Sequence, residues 1–236
     1  MVAATLTINP GITINPGITL SGLIPIITNG IILWLDAANP TSYQPGFETW
    51  VDLSNNHYDA PLYGNFSASD SVSVDFSNEN YAQIAPANMF NGDFTAIGWV
   101  YVRSYASWSR LFDFGNGAGQ DNVIVAVTSG NSGYPVFYAN ANNLQSPAQI
   151  PPNQWAQLAA TQAGTTQTLF INGQQVAQQL GGPEGSVTRN YNYIGRSNYP
   201  QDSYLDGRIN TLRMYNRALS SAEILTDYHG MKGRLG

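Results

Sequence analysis

The sequence contains no cysteine. Disulfides, thiol catalysis and cysteine-ligated zinc are thereby excluded. No run of about 18 apolar residues occurs, so no helix of the chain is expected to span a membrane. Charge is scarce. Only 10% of residues are Asp, Glu, Lys or Arg, against about 25% in average soluble domains. That charge is unevenly spread. Residues 1–188 carry Arg103 and Arg110 against eleven acidic residues, a balance of −9, whereas residues 189–236 carry seven basic against four acidic, a balance of +3. An acidic body argues against nucleic acid, whose phosphates it would repel. The five arginines from Arg189 to Arg217 are expected to lie on strand faces paired with carboxylates rather than to form a basic patch. The amino-terminal stretch has no basic segment followed by an apolar one, and Pro10 and Pro16 interrupt it. A secretion signal is therefore not expected, and synthesis in a cytosol is.

What is present is polar but uncharged: Asn, Gln, Ser, Thr and Gly must build the surface. Hydrophobic residues make up 43% of the 236, enough for a sizeable core, and 14 Tyr and 5 Trp stand among them. The length suits one large all-β domain with an appendage. After Asn29-Gly30 comes the apolar run Ile31 to Asp36, a first strand. From there to Tyr215, short β-rich runs alternate with Gly, Asn, Pro and Ser clusters: Ser71–Phe76, Phe94–Val102, Asn122–Thr128, Val136–Tyr138, Trp155–Thr161, Gln167–Ile171, Asn192–Ile194 and Ile209–Tyr215. Asn172-Gly173 and Asp206-Gly207 carry hairpin-turn chemistry. Trp99 alternates with Ile97 and Tyr101, which puts one aromatic face of that strand in the core. Such spacing means a sandwich or barrel, not βαβ units. One helix is expected from Ser220 to Tyr228. Ser220 and Glu223 make a capping box, Gly230 ends the helix, and Ile224, Leu225 and Tyr228 form its apolar face.

Several segments together resemble a known family. They are "GIILWLDAANPTSYQPG" with "TWVDLSNNHYDAPLYG", "SVDFSNENYAQI", "DFTAIGWVYV", "WAQLAATQAGTTQTLFINGQQV" and "YLDGRINTLRMYNRALSSAEI", in that order over residues 30–230. The most specific is Tyr-Asn-Arg-Ala-Leu-Ser followed by Glu-Ile. The chain resembles laminin-G-like, concanavalin A-like domains of bacterial and phage proteins. The resemblance implies a two-sheet antiparallel jelly-roll sandwich with one short C-terminal helix, spanning residues 29–236 behind an extended arm, residues 1–28.

The same jelly roll hosts glucanases. A retaining glycosidase needs two carboxyl groups about 5–5.5 Å apart, and relatives carry them on one strand as Glu-x-Asp-x-x-Glu. The four glutamates here, Glu48, Glu79, Glu184 and Glu223, have no such neighbours. His57 and His229 have no Ser or Cys motif to serve. No catalysis is expected. In calcium-binding relatives an Asp at a loop–strand junction supplies a ligand, and Asp121 in "FGNGAGQDNVIVAV" matches that position, with Asp202 as the one carboxylate that could approach it; calcium takes 6–8 oxygens. The competing reading is that Asp121 caps a turn. No cofactor other than calcium is expected. For sugars, Tyr105, Trp108, Tyr134, Tyr199 and Tyr204 fall in turn-rich segments, where binding residues concentrate.

The leader repeats itself: Thr-Ile-Asn-Pro-Gly-Ile runs from Thr7 to Ile12 and again from Thr13 to Ile18. Pro then Gly is the recipe for a type II turn, so each copy reads as a short extended stub and a turn. Two copies cannot bury an apolar face alone. Residues 1–28 have no charged side chain, yet they carry Ile8, Ile12, Ile14, Ile18 and Leu20. A segment of this kind calls for burial by a partner. Together with the head, this resembles structural proteins of tailed phages. The expectation is a non-enzymatic virion surface protein, either capsid decoration or fibre. It would form a homo-oligomer such as a trimer, anchored to another virion protein such as the major capsid protein, with a head able to meet a cell-surface glycan. The alternatives are a stand-alone bacterial carbohydrate-binding module, extracellular or on a cell surface, and a glucanase-related hydrolase.

Overall fold

The computed structural model describes residues 26–66 and 72–235, together with the backbone of Thr7–Ile8 and Ile12–Thr13. In the leader, β1 (Thr7–Ile8) pairs antiparallel with β2 (Ile12–Thr13), Ile8 opposite Ile12. These are the extended stubs expected on either side of the first Asn-Pro-Gly. Ile14, Ile18 and Leu20 lie outside the described residues.

The body is two antiparallel sheets. One takes β3 (Ile31–Asp36), β6 (Val74–Asp75), β8 (Phe94–Val102), β13 (Trp155–Ala163), β14 (Thr166–Ile171), β15 (Gln174–Leu180) and β17 (Gly207–Tyr215). Its order is β15-β14-β13-β8-β17-β3, with β6 also paired to β17. The other takes β4 (Thr49–Trp50), β5 (Ala60–Tyr63), β7 (Tyr81–Ile84), β9 (Arg110–Gly115), β10 (Val123–Ala126), β11 (Val136–Ala139), β12 (Asn142–Gln145) and β16 (Tyr191–Ile194). Its order is β12-β11-β10-β9-β16-β7-β5-β4. This is the expected jelly-roll sandwich, and its strands alternate as strands must. In β8, Phe94, Ala96, Val100 and Val102 enter the core between the sheets, where they meet Phe90, Phe112, Phe137, Leu158 and Leu212. The other parity, Ile97 and Trp99, is also buried, but outside the sandwich.

A helix closes that outer face. In α1 (Ser221–Lys232), Ser220 caps the amino end and the capping box with Glu223 is complete. Ile224 joins Ile97, Ala159, Phe170, Tyr215 and Leu219 in a second apolar cluster, and Tyr228 stacks on Trp99 at 5.5 Å between ring centres. The helix runs past Gly230, the expected stop. Met231 is buried one residue later, and Arg234 pairs with Asp36 at 2.8 Å just beyond the helix, so the extra turn is anchored. The buried face also differs from expectation: Ile224, Asp227 and Met231 are buried, while Leu225 and Tyr228 are half-covered. Asp227 is there for Arg213 of β17, whose guanidinium it grips at 2.5 and 2.8 Å. Gln157 adds a third hydrogen bond at 2.9 Å.

Asn172-Gly173 joins β14 to β15 with φ of 51° and 77°, as a two-residue hairpin turn demands. The helix lies directly above: a Cβ on Gly173 would come 2.9 Å from that of Tyr228. Asp206-Gly207, by contrast, closes no hairpin. It carries the chain from β16 in one sheet to β17 in the other.

Candidate functional site

Among the described residues no helix covers the outer face of the eight-stranded sheet, and its outward parity is aromatic. Tyr63 and Tyr81 are direct cross-strand partners on β5 and β7 and stack at 4.9 Å. Tyr193 on β16 meets Tyr81 edge-on at 5.7 Å and stacks near Tyr191 at 6.3 Å. Tyr63 and Tyr191 are 44% and 46% exposed, among the most open large apolar side chains of the body. Across the sheet, Ile124, Ala126 and Val136 form a small apolar floor walled by Trp108, Tyr138 and Tyr199.

The polar groups of this face come from β9 and from the loop that follows β16. The β9–β10 register slips at Val125/Ala126, so Ala126 pairs with Arg110. The slip brings Arg110 and Asp113 to the same face, 3.7 Å apart. Asp113 is fully buried and fixes the loop. It accepts from the backbone N–H and the side-chain amide of Asn198, both at 2.9 Å, and from Ser197 and Asn122. From that loop rise Arg196, Tyr199, Asp202 and Tyr204. Asp202 takes the Arg110 guanidinium at 2.7 Å and the Ser197 hydroxyl at 3.0 Å. Burial raises the Asp202 carboxyl above its usual range, against the pull of Arg110. Burial likewise lowers Arg110, opposed by Asp113 and Asp202. It also raises the phenols of Tyr193 and Tyr199, which stay protonated donors at neutral pH.

Two cavities of about 280 Å³ each open on this face. The first is lined by Tyr191, Tyr193, Arg196, Asn198 and Tyr204, the second by Trp108, Arg110, Ile124, Tyr138 and Asn143. Tyr199 and Asp202 line both, so the two are halves of one groove. Rings for stacking, with phenol hydroxyl and guanidinium donors among them, are what a sugar's C–H face and hydroxyls require.

Of the aromatic residues singled out in the sequence, Trp108, Tyr199 and Tyr204 converge here. Tyr105 does not. Its hydroxyl donates to the Ile150 carbonyl, and its ring fills space that Gly133 leaves, a Cβ there standing 2.5 Å away. Tyr134 lines neither cavity; its carbonyl accepts from Ser129 at 2.8 Å. Asp121 and Asp202 belong to different networks. Asp121 sits exposed at φ 55°, its carboxylate accepting from Asn116 at 3.0 Å and its carbonyl from Arg189 at 2.6 Å. With Asp202 neutralised by Arg110, and guanidinium groups against both, the pair does not fit a calcium ion. Among the described residues, no cluster of three or more His, Asp or Glu is disposed to hold a metal.

Sequence reading missed Tyr63, Tyr81, Tyr191 and Tyr193 because they sit in strands. Their signal was parity: Tyr191 and Tyr193 alternate with Asn192 and Ile194, which face inward.

A family model described as the concanavalin A-like lectin/glucanases superfamily (Laminin_G_3) matches residues 76–225. No curated protein matches in sequence. Among solved structures, domain 4 of AbnA, a GH43 extracellular arabinanase from Geobacillus stearothermophilus in complex with arabinotriose, superposes with a TM-score of 0.63 at 16% identity, covering 84% of this chain and 98% of that one. Trypanosoma rangeli sialidase in complex with sialic acid gives 0.67 at 17%, covering 90% of this chain and 35% of that one. The binding domain of botulinum neurotoxin serotype D/C gives 0.61 at 13%, covering 86% and 52%. This chain thus spans about a third of the sialidase and half of the toxin domain, and the likeness is one of fold.

Proposed function

The chain belongs to the concanavalin A-like lectin/glucanases superfamily, and from that premise we propose that it is a non-catalytic glycan-binding head whose site is the groove on the open face of the larger sheet. The observation that carries this reading is the run of tyrosines from Tyr63 to Tyr199, interleaved with donors, on the sheet face that α1 leaves bare. A neighbour of the same fold is in complex with arabinotriose, a fact about that protein that makes saccharides the first ligands to try. On a glycan array the full chain retains at least one oligosaccharide. The double variant Tyr193→Ala/Tyr199→Ala is expected to weaken that binding at least tenfold, since it removes two of the rings that line the groove. Unchanged binding in the double variant would remove the groove from the site. Reducing-sugar release from polysaccharides by the wild type would return the glucanase reading. The groove calls for no metal; a signal abolished by chelator would bring Asp121 back.

A second reading rests on the leader. Residues 1–28 have no charged side chain and repeat their hexapeptide, and β1 pairs with β2. This supports an arm buried by neighbours, with the sandwich as the outward head of a virion surface protein, capsid decoration or fibre, in a homo-oligomer such as a trimer. The stand-alone module is its rival. Deleting residues 1–28 decides between them. A particle protein loses its oligomeric state in sedimentation and its incorporation into virions; a free lectin keeps both its solution state and its sugar.

A further inference from the structure

Arg196 stands in the first half of the groove with three phenol rings around it. Its guanidinium carbon lies 4.4 Å from the ring centre of Tyr193, 4.7 Å from Tyr81 and 5.8 Å from Tyr204. An aromatic enclosure of this kind is suited to a cation, and here the chain supplies the cation itself. A positively charged ligand is therefore unwelcome.

The ring contacts fix where the guanidinium lies but do not cancel its charge. They also leave its N–H donors, five in a planar fork, without acceptors: among the described residues, Arg196 has neither a carboxylate partner nor a hydrogen-bond acceptor. Other arginines of the chain are treated differently. Arg103, Arg110, Arg189, Arg213, Arg217 and Arg234 each meet a carboxylate. Asp202, the acidic residue that lines the same cavity, is committed to Arg110 at 2.7 Å. Asn198 and Ser197 line the cavity beside Arg196, but their side-chain donors are committed to Asp113, Tyr191 and Asp202, which leaves Arg196 as a free donor there. The net charge of −6 opposes an anion at long range, but screening over about 8 Å at physiological salt leaves the outcome to local contacts.

We infer that Arg196 receives the oxyanion of an acidic saccharide, a carboxylate or a sulfate ester, while the sugar ring lies along the tyrosines. This rests on the glycan-binding reading and narrows it. An unpaired, planar, ring-held fork is matched to an oxyanion in a way that a neutral hydroxyl is not. A cavity of about 280 Å³ sits at the small end of ligand sites, about 300–1,000 Å³, so one or two sugar rings are expected there.

The test titrates the full chain calorimetrically at about 0.15 M salt with an oligogalacturonate, its methyl ester and a sulfated galactan oligosaccharide of the same length, after an array has surveyed other acidic and neutral sugars. An acid or sulfate is expected to bind at least tenfold more tightly than its uncharged counterpart, and the preference is expected to shrink as salt rises. Arg196→Gln collapses the ratio of charged to uncharged affinity to within about twofold, with near-UV circular dichroism unchanged; Arg196→Lys keeps part of it. The carboxylate and sulfate arms tell which oxyanion is read. If wild type binds charged and uncharged sugars equally, or if the preference survives Arg196→Gln, the inference is overturned and the glycan-binding reading stands. If no saccharide of either kind binds, both fall.

Discussion

On the outer face of the seven-stranded sheet, Trp99 lies against Tyr228 and Arg213 against Asp227. On the outer face of the eight-stranded sheet, Tyr81 and Tyr193 lie against Arg196, and no described element packs over them. The ingredients match: aromatic rings on outward strand positions and an arginine among them. The difference is the lid. Where α1 covers the sheet, the arginine has a carboxylate and the rings have a packing partner. Where no described element covers it, both are left available. An aromatic sheet face thus marks a demand for a cover, and the two faces differ in whether the described chain meets that demand itself.

The comparison breaks most sharply at Arg213. Its side chain is fully buried and carries the Asp227 carboxylate and, through it, Gln157. Asp227→Ala strands that charge and is expected to cost about 3–5 kcal/mol in urea unfolding. The double variant Arg213→Met/Asp227→Leu recovers most of this, because a buried ion pair contributes little net stability over an apolar pair of similar size. If the single variant cost no more than a surface change, the covered face would be no more structural than the open one.

Next in size is a matched pair of ring deletions. Tyr228→Ala removes the ring stacked on Trp99 and is expected to lower stability by about 2–3 kcal/mol, as loss of packed aromatic area does. Tyr193→Ala on the open face is expected to cost about 1 kcal/mol or less in stability while weakening saccharide retention severalfold. Equal stability losses at the two sites would show that the open face is packing surface. The smallest effect concerns the edge of the lid. The Arg217 guanidinium, and then the Ser220 N–H, hold the Glu223 carboxyl well below the usual range, at about 2. A carboxyl with its folded-state pKa lowered stabilises the fold above its unfolded value, about 4.3. That stabilisation fades as pH falls through the folded value. The Tm gap between wild type and Glu223→Gln is therefore full above about pH 5 and closes toward pH 2. Half-exposed as this pair is, its stability contribution stays under about 1 kcal/mol.

Much of the covered face was legible in the sequence, and little of the open one was. Strand β8 has the bounds its β-rich run predicts, and Ser220 with Glu223 announced the helix start, because both signals are local. Gly230 misled because a buried Met231 and the Arg234–Asp36 pair outweigh one glycine's preference to stop. Asp227 was not among the residues assigned to the buried helix face, since nothing local reveals that Arg213, fourteen residues away, lies beneath it. On the open face, the premise that binding residues sit in turns led to Trp108, Tyr199 and Tyr204, which line the groove, but also gathered Tyr105 and Tyr134, which do not. A turn residue can point inward as readily as out. Tyr63, Tyr81 and Tyr193 come together only through the pairing of β5, β7 and β16, which are far apart in the sequence.

The order in which strands are laid side by side is not the order in which a ribosome delivers them. β16 sits between β9 and β7, and β17 between β8 and β3. The first of these inner positions is therefore vacant until residue 191 has left the exit tunnel and the second until residue 207 has, and Asp227 follows later still. Half-sheets with bare inner edges must wait in the meantime, a slow and association-prone interval for a topology so rich in distant pairings. A chain halted before residue 207 would lack the strand that joins the two halves of the smaller sheet, and a nascent-chain pulse should find protease resistance arriving abruptly, only after that strand emerges.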